Sequence, residues 1–108
     1  MKKTVRGVAL GNSKKRAAYR ERRRAQLQEW SARLDLWQAR ARKTKAGVKI
    51  RYHDGLEELR DALQHMGDRV DELERATEET WDELRAGVDE ATDEAKKIVG
   101  RVSRRFDR

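Results

Sequence analysis

The stretch that decides the fold is LQEWSARLDLWQARA, from Leu27 to Ala41. It places two tryptophans, Trp30 and Trp37, seven residues apart in a segment that is otherwise rich in charge. Its apolar residues, with Leu34 between the tryptophans, follow one another in alternating steps of three and four. This heptad spacing keeps them on one stripe of an α-helix. The stretch therefore predicts a helix whose tryptophans are covered by another helix.

The same apolar stripe, which we call the seam, continues along the chain. The spacing changes to consecutive steps of four near 48–56 and near 73–81, where a helix either unwinds locally or ends. Thr80 and Glu83 form a capping-box pattern at the second of these places. We assign the following residues to the seam and to self-association: Leu27, Trp30, Leu34, Trp37, Leu59, Leu63, Met66, Val70, Leu73, Trp81, Leu84 and Val88.

Three arrangements of the helices fit this pattern. A reversal near 44–55 lays the first half of the chain against the second. A reversal near 75–80 gives one long helix and a shorter return helix. Reversals at both places give three helices, as in a three-helix bundle.

Poor turn residues in the first of these regions, such as Val48 and Ile50, argue against a full reversal there. We therefore predict an all-α antiparallel coiled-coil hairpin or small helical bundle. Its long first helix covers about 14–75 and is kinked near 47–55, and its second helix covers about 79–106. Residues 1–13 contain glycines and little periodicity, which predicts a disordered basic tail.

The composition suits such narrow helix contacts. Of the 108 residues, 44% are charged and 36% are hydrophobic, which is too little apolar material for a thick core. No proline interrupts a helix, and without cysteine there is no disulfide. No apolar run is long enough for a transmembrane helix. We expect a cytoplasmic protein, with an organellar transit peptide as the alternative explanation of the basic start.

Charge is distributed very unevenly. Residues 1–24 carry ten Lys or Arg and one Glu, whereas residues 54–95 carry sixteen acidic and four basic side chains. Residues 96–108 are basic again, with six Lys or Arg and one Asp. Opposite signs favour a chain that folds back on itself or pairs with another copy. The alternative is a set of solvated faces without a partner.

Three blocks resemble a family of small bacterial coiled-coil proteins, some of them labelled stress-response proteins. They are RAQLQEWSARLD, IRYHDGLEELRD and ETWDELRAGVDEA, and the resemblance covers roughly residues 24–95. The chain departs from the family pattern in its basic extension, at Gly47 and Gly55, and at Ala91–Thr92, where a second Trp is usual. The resemblance implies long helices that fold back near the third block and an undefined molecular function.

The residues offer little for catalysis. Cysteine is absent, and no serine lies near a histidine in sequence. His53 and His65 do not have the spacing of metal ligands and are interpreted as surface residues. A narrow seam leaves no pocket that would shift a carboxyl pKa. We therefore predict a non-enzymatic coiled-coil protein without a metal, a cofactor or a small-molecule substrate, and we expect a homo-oligomer.

Two alternative functions depend on basic segments. The segment KKRAAYRERRR suits sequence-nonspecific binding to phosphate backbones. Its candidate residues are Lys14, Lys15, Arg16, Arg20, Arg22, Arg23 and Arg24. The segment 96–105 is amphipathic, with Ile98, Val102 and Phe106 on one stripe, and favours a membrane surface less strongly. Residues 14–24 would serve equally well to keep the protein solvated or to pair with the acidic region, and the stripe of residues 96–105 would serve equally well as the end of the seam.

Overall fold

A chain without proline can form long helices, and this one does. The computed structural model describes the backbone of residues 2–43 and 46–107 and the side chains of residues 13–43 and 52–107. Within these residues the chain forms α1 (Lys2–Arg42), α2 (Ala46–Glu74) and α3 (Trp81–Phe106). The prediction of an all-α small helical bundle is confirmed.

The helices run up, down and up. Leu27 of α1 lies against Gly67 of α2, whereas Ala41 shares a depression with Leu56, so α1 and α2 are antiparallel. Helices α2 and α3 are antiparallel as well, since Arg101 near the end of α3 pairs with Glu58 near the start of α2. As a result α1 and α3 are parallel, and the bundle is a rod of 68 × 19 × 17 Å.

The seam predicted from the sequence forms the core of this rod. Leu27 and Leu84 are half-buried. The other ten predicted seam residues are buried, and they are Trp30, Leu34, Trp37, Leu59, Leu63, Met66, Val70, Leu73, Trp81 and Val88. The core has two parts, one around Trp30 and Trp37 and a smaller one around Trp81. We call the corresponding ends of the bundle the Trp37 end and the Trp81 end.

The helix bounds differ from the prediction in two ways. The single helix over 14–75 is wrong, because α1 ends at Arg42 and an antiparallel α2 begins at Ala46. The interruption thus lies just before the predicted kink near 47–55, and that kink is not confirmed. The chain therefore adopts the three-helix alternative. Second, α1 begins at Lys2, so residues 2–13 are helical where a disordered tail was predicted. Glycine raises the free energy of a helix without blocking it.

The second reversal lies where the sequence placed it, but its cap is different. Thr80 stands at the N-cap of α3 and makes no side-chain capping bond there. Instead the Thr80 hydroxyl accepts a hydrogen bond from the Thr77 backbone N–H at 2.9 Å, and the Thr77 hydroxyl accepts one from the Thr80 N–H at 3.3 Å. The reciprocal pair of a capping box is thus formed one turn earlier, between Thr77 and Thr80.

The tryptophans of α1 are covered by their own chain. Trp30 is 6% exposed and Trp37 only 1%. The Trp37 ring stacks on Phe106 of α3 at a centroid distance of 6.0 Å, and its Nε1 donates a hydrogen bond to Asp107 at 3.4 Å. From the sequence, these two tryptophans are assigned to self-association, in which a second copy would cover them. A third helix supplies that cover, so the tryptophans give no reason for an oligomer.

Candidate charged interaction surface

The basic segment predicted to bind nucleic acid lies on α1 beside the start of α3, at the Trp81 end. Arg16 donates a hydrogen bond to Glu78 at 2.9 Å, and its guanidinium lies 5.0 Å from the centre of the Trp81 ring. Arg20 covers the same ring at 5.7 Å. Cations over an aromatic face are attracted by the negative charge of the π system. These two arginines therefore complete the cover of Trp81, which is 6% exposed.

Arg23 belongs to a second cluster that ties α1 to α3. Its guanidinium donates a hydrogen bond to Asp89 at 2.8 Å, and the Tyr19 hydroxyl donates to the same carboxylate. Burial and the hydrogen bond with Asp89 raise the pKa of Tyr19 above its ordinary value. The Tyr19 ring also meets Trp81 edge-on, with the centroids 6.2 Å apart. The cluster therefore fixes the relative position of the two parallel helices.

Arg24 points to α2 instead of α3. Its guanidinium lies 2.6 Å from Glu74 and 2.9 Å from Asp71. The hydrogen bonds with Glu74 and then Asp71 raise the pKa of Arg24, and the bond from Arg24 lowers the pKa of Glu74. Charge-assisted bonds of this kind are stronger than neutral ones, although exposed pairs contribute little to stability. The predicted pairing of basic and acidic segments is thus made within one chain.

Three of the seven predicted nucleic-acid ligands remain exposed: Lys14, Lys15 and Arg22. They form no ion pair with the described part of the chain. Lys15 and Arg22 help to line an open depression of about 540 Å³ beside Trp81, which Asp82 and Arg85 of α3 close on the other side. The other four candidates, Arg16, Arg20, Arg23 and Arg24, contact α2, α3 or the turn between them. The segment therefore offers less free charge than its sequence indicates.

A second basic surface lies near the opposite end of the rod, on α3. Lys96, Lys97, Arg101 and Arg104 surround Gly100 and line a shallow open depression of about 630 Å³ without an acidic neighbour in the lining. We call these five residues the α3 cationic face. Arg101 reaches Glu58 of α2 at 3.0 Å. The remaining three cations form no ion pair with any described residue. Here the positive charge is turned outward.

The apolar stripe of residues 96–105 leaves two interpretations open, a membrane surface as the weaker candidate and the end of the seam. In the bundle Ile98 and Val102 are each 4% exposed, and Phe106 packs against Trp37 and Tyr52. The stripe is therefore used inside the protein, and it cannot insert into a bilayer while the bundle is intact. None of the described helices has an apolar stretch that could cross a membrane. In this segment the exposed side chains are the cations, and the apolar stripe is buried.

One group of possible metal ligands was not predicted. His53 Nδ1 lies 3.8 Å from Asp54 and 3.6 Å from Glu57, and the three side chains place ligand atoms within 4.8 Å of one another. All three are exposed neighbours on one helix, where such proximity follows from the helical spacing. His65 is exposed as well. The arrangement is that of a surface ion pair when His53 is protonated.

No family model, curated protein or solved structure matches the chain. The resemblance to bacterial coiled-coil proteins therefore remains a prediction, and the function has to be argued from the geometry.

Proposed function

We propose that the chain is a non-enzymatic interaction protein, a helical rod that associates with other macromolecules, including further copies of itself, through surface charge. The observation that carries this proposal is that the large apolar side chains of the described residues are almost all buried or half-buried, so that the surface is mainly charged. Among the described residues, Leu36 is the large apolar side chain that stays exposed, at 50%, while the tryptophans are internal. A surface of this kind binds by complementary charge more readily than by apolar contact.

The charge pattern supports association between copies. Arginines of α1 that face acidic residues already pair with them, as Arg23 does with Asp89. Three cations of the α3 cationic face, namely Lys96, Lys97 and Arg104, are exposed and make no ion pair in the described part of the chain, and the same holds for acidic side chains such as Asp61 and Asp68. The same pairing chemistry can therefore continue from one rod to the next. The proposed setting is a bacterial cytoplasm under stress, which rests on the family resemblance alone.

Light scattering across a salt series tests this proposal. The mass of one chain is 12.7 kDa. We expect a larger average mass at about 50 mM salt and a fall toward one chain at about 500 mM, since screening weakens contacts between exposed charges. Helix content from circular dichroism should stay constant across the series. A mass of one chain at every salt concentration, together with no salt-sensitive binding to any charged partner, would contradict the proposal.

Binding to nucleic acid through α1 is the second candidate, and it is favoured by the exposure of Lys14, Lys15 and Arg22. Substituting Lys14 and Lys15 by Gln tests it directly. The affinity for duplex DNA should fall if this segment holds the backbone, and it should not change if the segment serves mainly to assemble the bundle.

A further inference from the structure

We propose that the α3 cationic face is a docking surface for the phosphate backbone of double-stranded nucleic acid. This inference deepens the proposed function by naming one partner and the surface that holds it. The surface is separate from the α1 segment, because it lies toward the other end of the rod.

Free positive charge on α3 supports this docking surface. Lys96, Lys97 and Arg104 are exposed, form no ion pair in the described part of the chain, and lie within about two turns of one helix. The rise of an α-helix, about 1.5 Å per residue, spreads them over about 12 Å along the axis. Arg101 adds a fourth cation whose pair with Glu58 is exposed and can exchange. A row of cations on a rigid helix suits the regularly spaced charges of a duplex backbone.

The surroundings of Gly100 support the same surface. The other three glycines with described surroundings lie at helix contacts: Gly55 faces Val102, Gly67 faces Leu27 and Gly87 faces Arg69. A Cβ on Gly100 would meet nothing within 4 Å, and its backbone does not require positive φ. Packing therefore does not explain a residue that is unfavourable inside a helix. Its effect is a notch among the cations, in which a phosphate can approach the helix closely.

The composition of the α3 cationic face favours a duplex over other anionic partners. Single-stranded nucleic acid is commonly held by aromatic side chains on which bases stack, and the α3 cationic face has none. A membrane surface is held most firmly where cations accompany apolar groups that insert, and the apolar stripe of α3 is buried in the bundle. A duplex backbone needs neither feature. Binding should therefore depend steeply on salt and little on sequence.

The test uses the full chain and a labelled duplex DNA of random sequence, about 20 base pairs long, in a titration at several salt concentrations. The variant Lys97→Gln with Arg104→Gln removes two charges from the α3 cationic face. The matched variant Lys14→Gln with Lys15→Gln removes the same net charge from α1. We expect the first pair to weaken binding on the order of tenfold and to reduce the salt slope by about two, and the second pair to change the affinity less than about twofold.

A charge-neutral variant, Gly100→Gln, places a side chain in the notch and should weaken binding several-fold while circular dichroism shows an unchanged helix content. It also keeps the test informative should the double variant fold poorly.

Three results would overturn the inference. The first is that the unaltered protein does not bind the duplex. The second is that the two matched double variants lose equal amounts of affinity for the duplex. The third is that the α3 variant loses its affinity for vesicles of phosphatidylserine and phosphatidylcholine but still binds the duplex. If the duplex is not bound and the mass of the protein still falls with salt, the inference fails alone. If the duplex is not bound and the mass does not change with salt either, the proposed function fails together with the inference.

Discussion

The two ends of the rod bury a tryptophan in different ways. At the Trp37 end the ring is covered by another aromatic side chain, Phe106, and the basic residues of α3 remain outside. At the Trp81 end the ring is covered by guanidinium groups, those of Arg16 and Arg20. Half-buried arginines therefore cover the core at one end, whereas the arginines at the other end belong to the free surface. The number of basic residues in a segment does not tell which role they have, because that depends on what lies opposite.

The largest effect is expected from Trp37→Ala. Truncating a side chain that is 1% exposed leaves a cavity, and the loss should be about 3–5 kcal/mol in the free energy of unfolding. Leu36→Ala, at a neighbouring residue that is 50% exposed, is the control and should change it by less than about 0.5 kcal/mol. Urea unfolding measures both. Similar small losses would mean that Trp37 is not covered in solution.

A smaller loss is expected at the Trp81 end from Arg23→Met. The variant keeps most of the apolar stem and removes the hydrogen bond to Asp89. It should destabilise the bundle by about 1 kcal/mol, because the pair is only partly shielded from water. Arg22→Met removes an exposed charge one residue away and should have almost no effect. If both variants unfold at the same urea concentration, the arginines of this end do not help to hold the helices together.

Gly100→Ala should act in the opposite direction. The new methyl group meets open space, so the gain in helix propensity should stabilise the protein by about 0.5–1 kcal/mol. Gly67→Ala makes the same change where Leu27 lies 3.5 Å away, an ordinary van der Waals contact, and the gain should be at least as large there. Thermal unfolding followed by circular dichroism compares the two. A loss of stability in Gly100→Ala would show that the position has a packing partner.

The smallest effect concerns pH, because it involves exposed carboxylates at both ends. The bond from Arg24 lowers the pKa of Glu74, and bonds from Ser103 and then Trp37 lower that of Asp107. A carboxylate whose pKa is lower in the folded state stabilises the protein above its unfolded pKa, and this contribution disappears as the pH falls through the folded pKa.

The urea midpoint should therefore decrease between about pH 6 and pH 3. Glu74→Gln and Asp107→Asn should each flatten part of that decrease, which assigns it to one end or the other. A midpoint that rises on acidification would contradict the pairing of both carboxylates.

Much of this fold follows from local spacing in the sequence. Alternating steps of three and four identified the buried residues, including Trp30, Met66 and Val70, since one face of a helix is set by periodicity. The first reversal could not be placed so well. The interruption lies near Lys43, and the valine and isoleucine that follow belong to α2. The low turn propensity of Val48 and Ile50 correctly predicted that the chain does not turn at these residues, but it did not exclude a turn just before them.

The candidate surface was harder to predict than the core. The sequence shows that residues 14–24 are basic. That Arg16 and Arg23 are not free to bind a partner depends on three-dimensional packing, because they pair with the turn before α3 and with α3 itself.

In residues 96–105 the apolar stripe and the basic residues alternate, and either could have faced outward. The positions of α1 and α2 decide that the stripe is buried, since Phe106 packs against Trp37 and Val102 lies beside Gly55. Charge patterns along a chain therefore locate surfaces less reliably than apolar patterns locate cores.

The up, down and up order of the helices also bears on how fast the protein forms. Contacts between α1 and α2 and between α2 and α3 join elements that follow one another along the chain, and proteins rich in such local contacts fold in about microseconds to milliseconds. The bond from Arg23 to Asp89 joins residues 66 positions apart, so it requires both helical hairpins to be in place. This contact should be absent from the transition state. Arg23→Met should then accelerate unfolding and leave the folding rate nearly unchanged.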